Sequence, residues 1–158
     1  YGHRPDPETE ITVTSGASEA IFDAIAAVVR PGEEVIVLDP CYDCYEPAID
    51  LAGAKAVHVS LDPQTFAVDW DRVRDVMIDY AERVIAGGGR LNHVTRHMVG
   101  LFQGYAGARR YRQILSSEAT KPGVSPDLIA EAFAAVDLAA GPKAAVQDGA
   151  TEAARLAG

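Results

Sequence analysis

The sequence is poor in cysteine and in long apolar runs. Two cysteines give no disulfide framework, which excludes the small secreted domains held together by disulfides. No apolar run approaches the ~20 residues that a membrane-spanning helix needs, and the first ten residues, YGHRPDPETE, are polar and unlike a signal peptide. Apolar residues make up 48% and charged residues 23%, which is a globular composition. We therefore expect a cytoplasmic globular chain.

Positive charge is scarce in the first half of the chain. Residues 1–73 contain four Lys or Arg against 14 Asp or Glu, a net charge of −10. Residues 74–122 contain eight Lys or Arg against four Asp or Glu, a net charge of +4 within a chain of −9. Such asymmetry predicts different partners for the two segments. A polyanion would be repelled by the first segment and attracted by the second.

The pattern of residues 11–30 predicts a strand, a tight turn and a helix. Ile11–Thr14 is β-branched at every position, which suits a strand, and Ser15 and Gly16 break the run. A helix buried on one face follows, because apolar residues recur at three- and four-residue steps: Ala17, Ala20, Ile21, Ala24, Ile25 and Val28. Small residues at the turn let an anion approach the free N–H groups at the helix start. An ordinary tight turn is the alternative.

The rest of the first half continues the alternation of strands and helices. Strands are predicted at 34–39 and 55–61, with a short helix at 43–52 between them. Asp43 and Glu46 have the spacing of a capping box in that helix. Strands that alternate with helices indicate parallel pairing, so we predict a partial three-strand α/β layer.

From Asp71 the apolar period becomes helical. Helices are predicted at 71–86, 91–102 and 108–115, and a fourth begins at Ser125-Pro126-Asp127. Four short helices indicate a small bundle within residues 74–139. The Ala/Gly-rich residues 140–158 are interpreted as a frayed tail. The predicted fold class is therefore α/β followed by all-α.

Two pairs of residues raise metal or redox alternatives. Cys41 and Cys44 form a CxxC, but a metal site needs further ligands and a redox role needs a lowered thiol pKa. His93 and His97 are four residues apart on a predicted helix, without the glutamate of a zinc protease motif. We predict no metal site, structural or incidental cysteines, and a packing or RNA-facing role for His93 and His97.

The run DPETEITVTSGASEAIFDAIAAVVRPGEEVIVLDPCYDCYEPAIDLAGAKAVHVSL resembles the early large-domain segment of fold-type-I pyridoxal-phosphate aminotransferases, with the kynurenine and methionine aminotransferases nearest. The resemblance covers residues 1–73. It implies that Ala17 and Ser18 lie at the cofactor phosphate, held by helix amides, and that Tyr42 stacks on the pyridine ring. The small residues of the turn add Gly16 to this predicted phosphate site. The family also implies a homodimer.

The parts of the family pattern that carry out catalysis are not matched. The family holds its cofactor covalently through a lysine, and an aspartate and an arginine serve the pyridine nitrogen and the substrate carboxylate. Lys55, Lys121 and Lys143 match no family lysine. We therefore assign no catalytic residue and expect poor affinity for pyridoxal phosphate.

The run RLNHVTRHMVGLFQGYAGARRYRQILS resembles the C-terminal helical domain of bacterial tRNA-dihydrouridine synthases, over residues 74–139. In that family the helical domain helps to grip tRNA, while a separate barrel, unmatched here, binds FMN. The resemblance and the local charge of +4 predict contacts with the tRNA backbone, with a solvated basic face as the alternative. The residues assigned to RNA are Arg96, Arg109, Arg110, Arg112 and Lys121.

Three functional hypotheses follow from the two resemblances. The first is a composite or truncated chain that joins the two segments and has no independent catalysis. The second is an aminotransferase that needs missing parts, and the third is a tRNA-binding module. A spectroscopic titration with pyridoxal phosphate separates the first two.

Overall fold

The computed structural model describes residues 4–142, which fall into two units that divide between Val73 and Arg74. We call residues 4–73 the α/β unit and residues 74–142 the helical unit. The predicted tail at 140–158 lies outside the described residues from position 143 onward. None of the helices within residues 4–142 is both long and apolar enough to cross a bilayer.

The α/β unit contains a two-stranded parallel sheet. Its elements, in chain order, are α1 (Ala17–Val28), β1 (Glu34–Asp39), α2 (Tyr45–Leu51) and β2 (Lys55–Ser60). The register places Glu34 opposite Lys55 and Asp39 opposite Ser60. The predicted strands at 34–39 and 55–61 and their parallel pairing are confirmed.

The third predicted strand, Ile11–Thr14, is wrong. The segment has no regular structure, and Ile11 and Val13 are 50% and 90% exposed. A β-branched run becomes a strand only where a neighbour accepts its ladder of hydrogen bonds. Among the described residues the sheet consists of β1 and β2 alone, so this segment has no such neighbour.

Helix α1 has the predicted position but not the predicted burial. None of its residues is buried, although α1 lies against α2. Ile21 and Ile25 are half-buried, while Phe22 and Val28 are 42% and 71% exposed. The periodic pattern therefore places the helix correctly, but one short neighbouring helix is too small to cover its apolar face.

Helix α2 begins later than predicted and lacks the predicted capping box. Cys44 occupies the cap position without a side-chain hydrogen bond, so Asp43 does not cap the helix. Gly53, at φ +75°, follows the end of the helix, where a left-handed residue is favoured.

The helical segment begins with α3 (Trp70–Ala86), which confirms the helix predicted at 71–86. It continues with α4 (Leu91–Thr95), α5 (Ala108–Gln113), a π-helical turn (Ile114–Glu118) and α6 (Leu128–Ala134). The fourth predicted helix is present but begins later than predicted, because Asp127 and not Ser125 occupies the cap position. The Ser125 hydroxyl accepts a hydrogen bond from the Asp127 N–H at 3.2 Å within the turn that precedes the helix.

The helix predicted at 91–102 is wrong in its second half. Helix α4 ends at Thr95, and residues 96–104 form successive turns. Glycine is a poor helix former, and Gly100 lies within the half of the predicted helix that forms turns instead. The helical spacing of apolar residues continues through this stretch because successive turns also place Met98 and Phe102 in the core.

An aromatic cluster forms the core of the helical unit. The rings of Phe102, Tyr111 and Phe133 are mutually T-shaped, with centroids 4.9 to 5.8 Å apart, and all three residues are buried. The Tyr111 hydroxyl donates to the carbonyl of Met98 at 3.1 Å, which satisfies its polar group. Burial raises the pKa of that hydroxyl far above its ordinary value.

Gly107 fixes the start of α5 against the end of α6. Its φ is +85°, and an added Cβ would lie 1.8 Å from the carbonyl oxygen of Ala135. The neighbouring carbonyl of Ala106 accepts a hydrogen bond from the Asp137 N–H at 3.0 Å. Only glycine fits this approach, which holds the loop before α5 in place.

Candidate functional site

A groove in the helical unit is formed by the turns before α5 and the first turns of α5. It encloses 570 Å³ and is lined by, among others, Gly100, Gln103, Gly104, Tyr105, Arg109 and Arg112. The loop held by Gly107 forms one wall, and Arg109 and Arg112 lie on the helix that follows. The lining carries positive charge and no acidic side chain.

Arg109 and Arg112 are the two predicted RNA-binding residues that the structure brings together. They are three positions apart on α5, so their side chains share one face. Within residues 4–142 neither guanidinium has a hydrogen-bond or ion-pair partner. Their charge is therefore available to a ligand.

The other predicted RNA-binding residues lie outside this groove. Arg110 forms an ion pair with Glu118, and the Arg96 Nε donates to Nε2 of His97 at 3.0 Å. Lys121 is exposed beyond the π-helical turn. Glu118 could not be predicted as the partner of Arg110 from the sequence, since a contact across eight residues depends on how the chain turns at Ile114.

A second candidate site lies at the start of α1, where Ser18 and Tyr42 meet. The Ser18 hydroxyl and the Tyr42 hydroxyl are 3.1 Å apart, and either can donate. The Tyr42 ring is 48% exposed and lies edge-on to Tyr45, with centroids 6.0 Å apart. The structure therefore brings together two residues that are 24 positions apart in the chain.

The amides around the α1 start are partly used by the protein itself. Gly16 is the cap residue in extended backbone, and the N–H groups of Ala17 and Ser18 have no intrahelical acceptor. The Ser15 N–H donates to the carboxylate of Glu19. A negative group thus already lies beside the amides to which a phosphate would bind.

His58 links β1, β2 and α2 through two carboxylates. Its Nδ1 lies 2.8 Å from Asp39 Oδ2, and its Nε2 lies 3.5 Å from Glu46 Oε1. The hydrogen bond to Asp39 raises the pKa of His58 above its ordinary value, and the interaction with Glu46 adds to this. The sequence alone gave no signal for this cluster, which β1–β2 pairing assembles.

The cysteines and the other histidines do not form the alternative sites considered above. Partial burial and a hydrogen bond to Asp39 raise the pKa of the Cys41 thiol, the opposite of what a redox thiol needs. His93 accepts the Arg90 N–H, whereas His97 accepts from a side chain. In residues 4–142 no three His, Cys, Asp or Glu side chains are grouped so as to hold a metal.

Comparison with known proteins finds similarity to two groups. The family model of class I and II aminotransferases matches residues 1–85. The methionine aminotransferase of Escherichia coli (strain K12) is 46% identical over 85 residues, which cover 54% of this chain and 22% of that protein. The tRNA-dihydrouridine(20/20a) synthase of Shewanella oneidensis is 46% identical over 66 residues, which cover 42% of this chain and 20% of that protein.

Solved structures extend the first comparison. The crystal structure of a methionine aminotransferase from Escherichia coli matches with 49% identity and a TM-score of 0.46, over 48% of this chain and 20% of that one. The chain thus spans about a fifth of the length of these relatives.

Proposed function

The chain belongs to the aminotransferase class I and II family, and from that premise we propose that it is a composite protein whose own activity is RNA binding rather than transamination. Residues 1–73 supply an incomplete aminotransferase-like segment. Residues 74–139 supply a helical module that binds the tRNA backbone, in line with the similarity to tRNA-dihydrouridine synthases.

The observation that carries this proposal is the pair of unpartnered arginines in the groove. Arg109 and Arg112 lie on one face of α5 without a partner among the described residues, in a lining that has no acidic side chain. Free guanidinium groups bind phosphate bidentately and gain affinity by releasing counterions. The net charge of −10 in residues 1–73 would weaken this binding, since it repels the same polyanion, whereas the groove arginines act on the phosphates that they contact.

We propose no transamination, because neither lysine within residues 4–142 fits a covalently held cofactor. The family implies pyridoxal phosphate, for which the α1 amides and Tyr42 offer a phosphate site and a ring contact. The Glu19 carboxylate beside Ser15 opposes a phosphate there. Lys55 pairs in register with Glu34 at the start of β2, and Lys121 lies in the helical unit.

The experiment compares tRNA binding by two double variants of equal charge. Arg109→Ala with Arg112→Ala removes the groove arginines, and Arg4→Ala with Arg72→Ala removes two arginines from the α/β unit. Binding is measured by fluorescence anisotropy between ~50 and ~200 mM salt. The groove variant should weaken binding at least about tenfold and reduce the salt slope by about 1.5, since each phosphate contact contributes about 0.7 to 0.9. Equal losses in both variants, or no binding by the unmodified chain, would contradict the proposal.

A second candidate function is weak, non-covalent binding of pyridoxal phosphate. The 3.1 Å contact between Ser18 and Tyr42 favours it, since a hydroxyl and an aromatic ring meet at the helix start. Titration should leave the aldehyde absorption band unshifted, and Tyr42→Ala should weaken binding further. Tight binding that Lys55→Ala abolishes would instead indicate covalent attachment and a working cofactor site.

A further inference from the structure

We infer that the groove of the helical unit takes one nucleotide of an unpaired RNA segment, with its base inserted beside Gly100 and Tyr105 and its phosphate on Arg109 and Arg112. This inference rests on the proposed function, because RNA must first bind the helical unit. Beyond that function, the inference specifies that the bound RNA is single-stranded and not a duplex. It also specifies the part of the groove that distinguishes the two forms.

The groove is open to solvent and has the volume and chemistry for a base as well as for a phosphate. Its volume of 570 Å³ falls within the ~300–1,000 Å³ typical of small-molecule sites, whereas a surface patch of arginines encloses no volume. An added Cβ at Gly100 meets nothing within 4 Å, so this part of the lining is open. Exposed Gln103 places an amide at the lining, which can both donate to and accept from a base edge.

Tyr105 supplies an aromatic wall that the fold holds in place. Its ring is half-buried and lies at 74° to Phe102, with centroids 5.6 Å apart. Its backbone forms a β-bridge with Pro142, which fixes this turn from the other side. Aromatic side chains hold unpaired bases by stacking, and this holds for any base because each has a π-face.

A duplex cannot use such a groove fully. In an A-form helix the bases are stacked and paired, so a protein reaches the phosphates, the 2′-hydroxyls and the shallow minor groove. Arg109 and Arg112 would still bind duplex phosphates from the rim, but the space beside Gly100 would stay empty. The structure thus predicts that filling this space affects single-stranded RNA selectively.

Gly100→Leu is a steric block that leaves the charge of the groove unchanged. Gly100 does not have the positive φ that only glycine tolerates, and its open surroundings accept a side chain. Ala134→Leu is the matched control, because Ala134 is exposed on α6 and outside the groove lining. Circular dichroism and the thermal midpoint establish that both variants fold as the unmodified chain does.

The full chain and both variants are titrated by anisotropy against a labelled single-stranded RNA, the same strand in a duplex, and heparin. Gly100→Leu should weaken single-strand binding by about tenfold, the size of one lost stacking contact, with the salt slope unchanged. Its binding to the duplex and to heparin should stay within about twofold, as should all binding by Ala134→Leu.

Two results would overturn the inference, and they are distinguishable from failure of the proposed function. Unchanged single-strand binding by Gly100→Leu would mean that no base enters the groove and that only its charge binds RNA. The proposed RNA binding would then still hold. Equal losses for single strand, duplex and heparin would show that the substitution disturbs the arginines rather than a base. If the unmodified chain binds neither tRNA nor single-stranded RNA, the proposed function and this inference both fail.

Discussion

The α/β unit and the helical unit contain similar numbers of residues but differ in how completely they bury their apolar side chains. The α/β unit buries mainly small and aliphatic residues, and α1 buries none. The helical unit buries three aromatic rings that contact one another. Helices in sequence close a core through local contacts, whereas a parallel sheet needs strands from distant parts of a chain. The difference indicates that the helical segment is the more self-sufficient of the two.

The same two regions differ in the sign of their charge. The first 73 residues carry −10 and the next 49 carry +4, so the charge of the helical unit favours an anionic ligand and that of the first segment opposes it. The α/β unit retains the helix-start geometry typical of phosphate sites but places a carboxylate beside it. A free helix start therefore does not by itself make an anion site when a carboxylate lies beside it.

The largest expected effect compares one substitution in each region. Phe102→Ala removes a fully buried ring at the centre of the aromatic cluster and should lower the free energy of unfolding by about 3–5 kcal/mol. Phe22 lies on α1 and is 42% exposed, so Phe22→Ala should lower the free energy of unfolding by less than about 1 kcal/mol. Urea titration followed by circular dichroism measures both. A comparable loss in Phe22→Ala would mean that α1 is covered in solution, which would contradict the difference in burial between the two units.

A smaller loss is expected at the π-helical turn, which depends on a buried hydroxyl. The Ala119 N–H donates to Ile114 instead of Leu115, and the Thr95 hydroxyl donates to the Leu115 carbonyl at 3.0 Å. Thr95→Val keeps the volume but leaves this carbonyl unsatisfied, so it should cost about 1–3 kcal/mol. Thr120→Val is the control. The Thr120 hydroxyl donates to the Ser117 carbonyl at 2.7 Å, but the position is exposed, so water can replace this bond and the loss should stay within about 0.5 kcal/mol. If the two variants unfold alike, the hydroxyl does not stabilise the turn.

The ion pair between Arg110 and Glu118 allows the positive charge of the helical unit to be increased at one position. Glu118→Gln should free Arg110 for phosphate, raise tRNA affinity about threefold to tenfold at low salt, and steepen the salt slope by about 0.7 to 0.9. Glu131→Gln, which removes an equal charge from exposed α6, is the matched control. Similar gains in both variants would attribute the effect to net charge instead of to Arg110.

The sequence predicted those elements whose signals are local. The alternation of strands and helices located α1, β1 and β2, and the helical period located α3. The strand at Ile11–Thr14 and the burial of α1 could not be predicted, because both depend on neighbours that a local pattern does not specify. Arg109 and Arg112 of the candidate site could be named from the sequence. The groove itself could not, because it depends on Gly107 and on turns whose apolar spacing resembles that of a helix.

The smallest expected effect is a pH dependence confined to the α/β unit. His58 lies between Asp39 and Glu46, and these carboxylates raise its pKa above the ordinary 6.5. A group whose pKa is raised by folding stabilises the folded state fully below its unfolded pKa, and this contribution is lost as pH rises through the folded pKa. The free energy of unfolding of the α/β unit should therefore fall as pH rises from 6.5 towards the raised pKa of His58 and beyond it.

His58→Gln should flatten this dependence, because glutamine keeps a polar group between the carboxylates but does not titrate. His93→Gln is the control, since His93 lies in the helical unit and accepts a hydrogen bond from the Arg90 N–H. Hydrogen exchange at several pH values, corrected for intrinsic rates, measures the stability of each unit separately. The solvent exposure of His58 limits the effect, since screening weakens ion pairs at exposed positions. A pH dependence that persists in His58→Gln, or that occurs equally in both units, would show that the cluster linking β1, β2 and α2 does not control it.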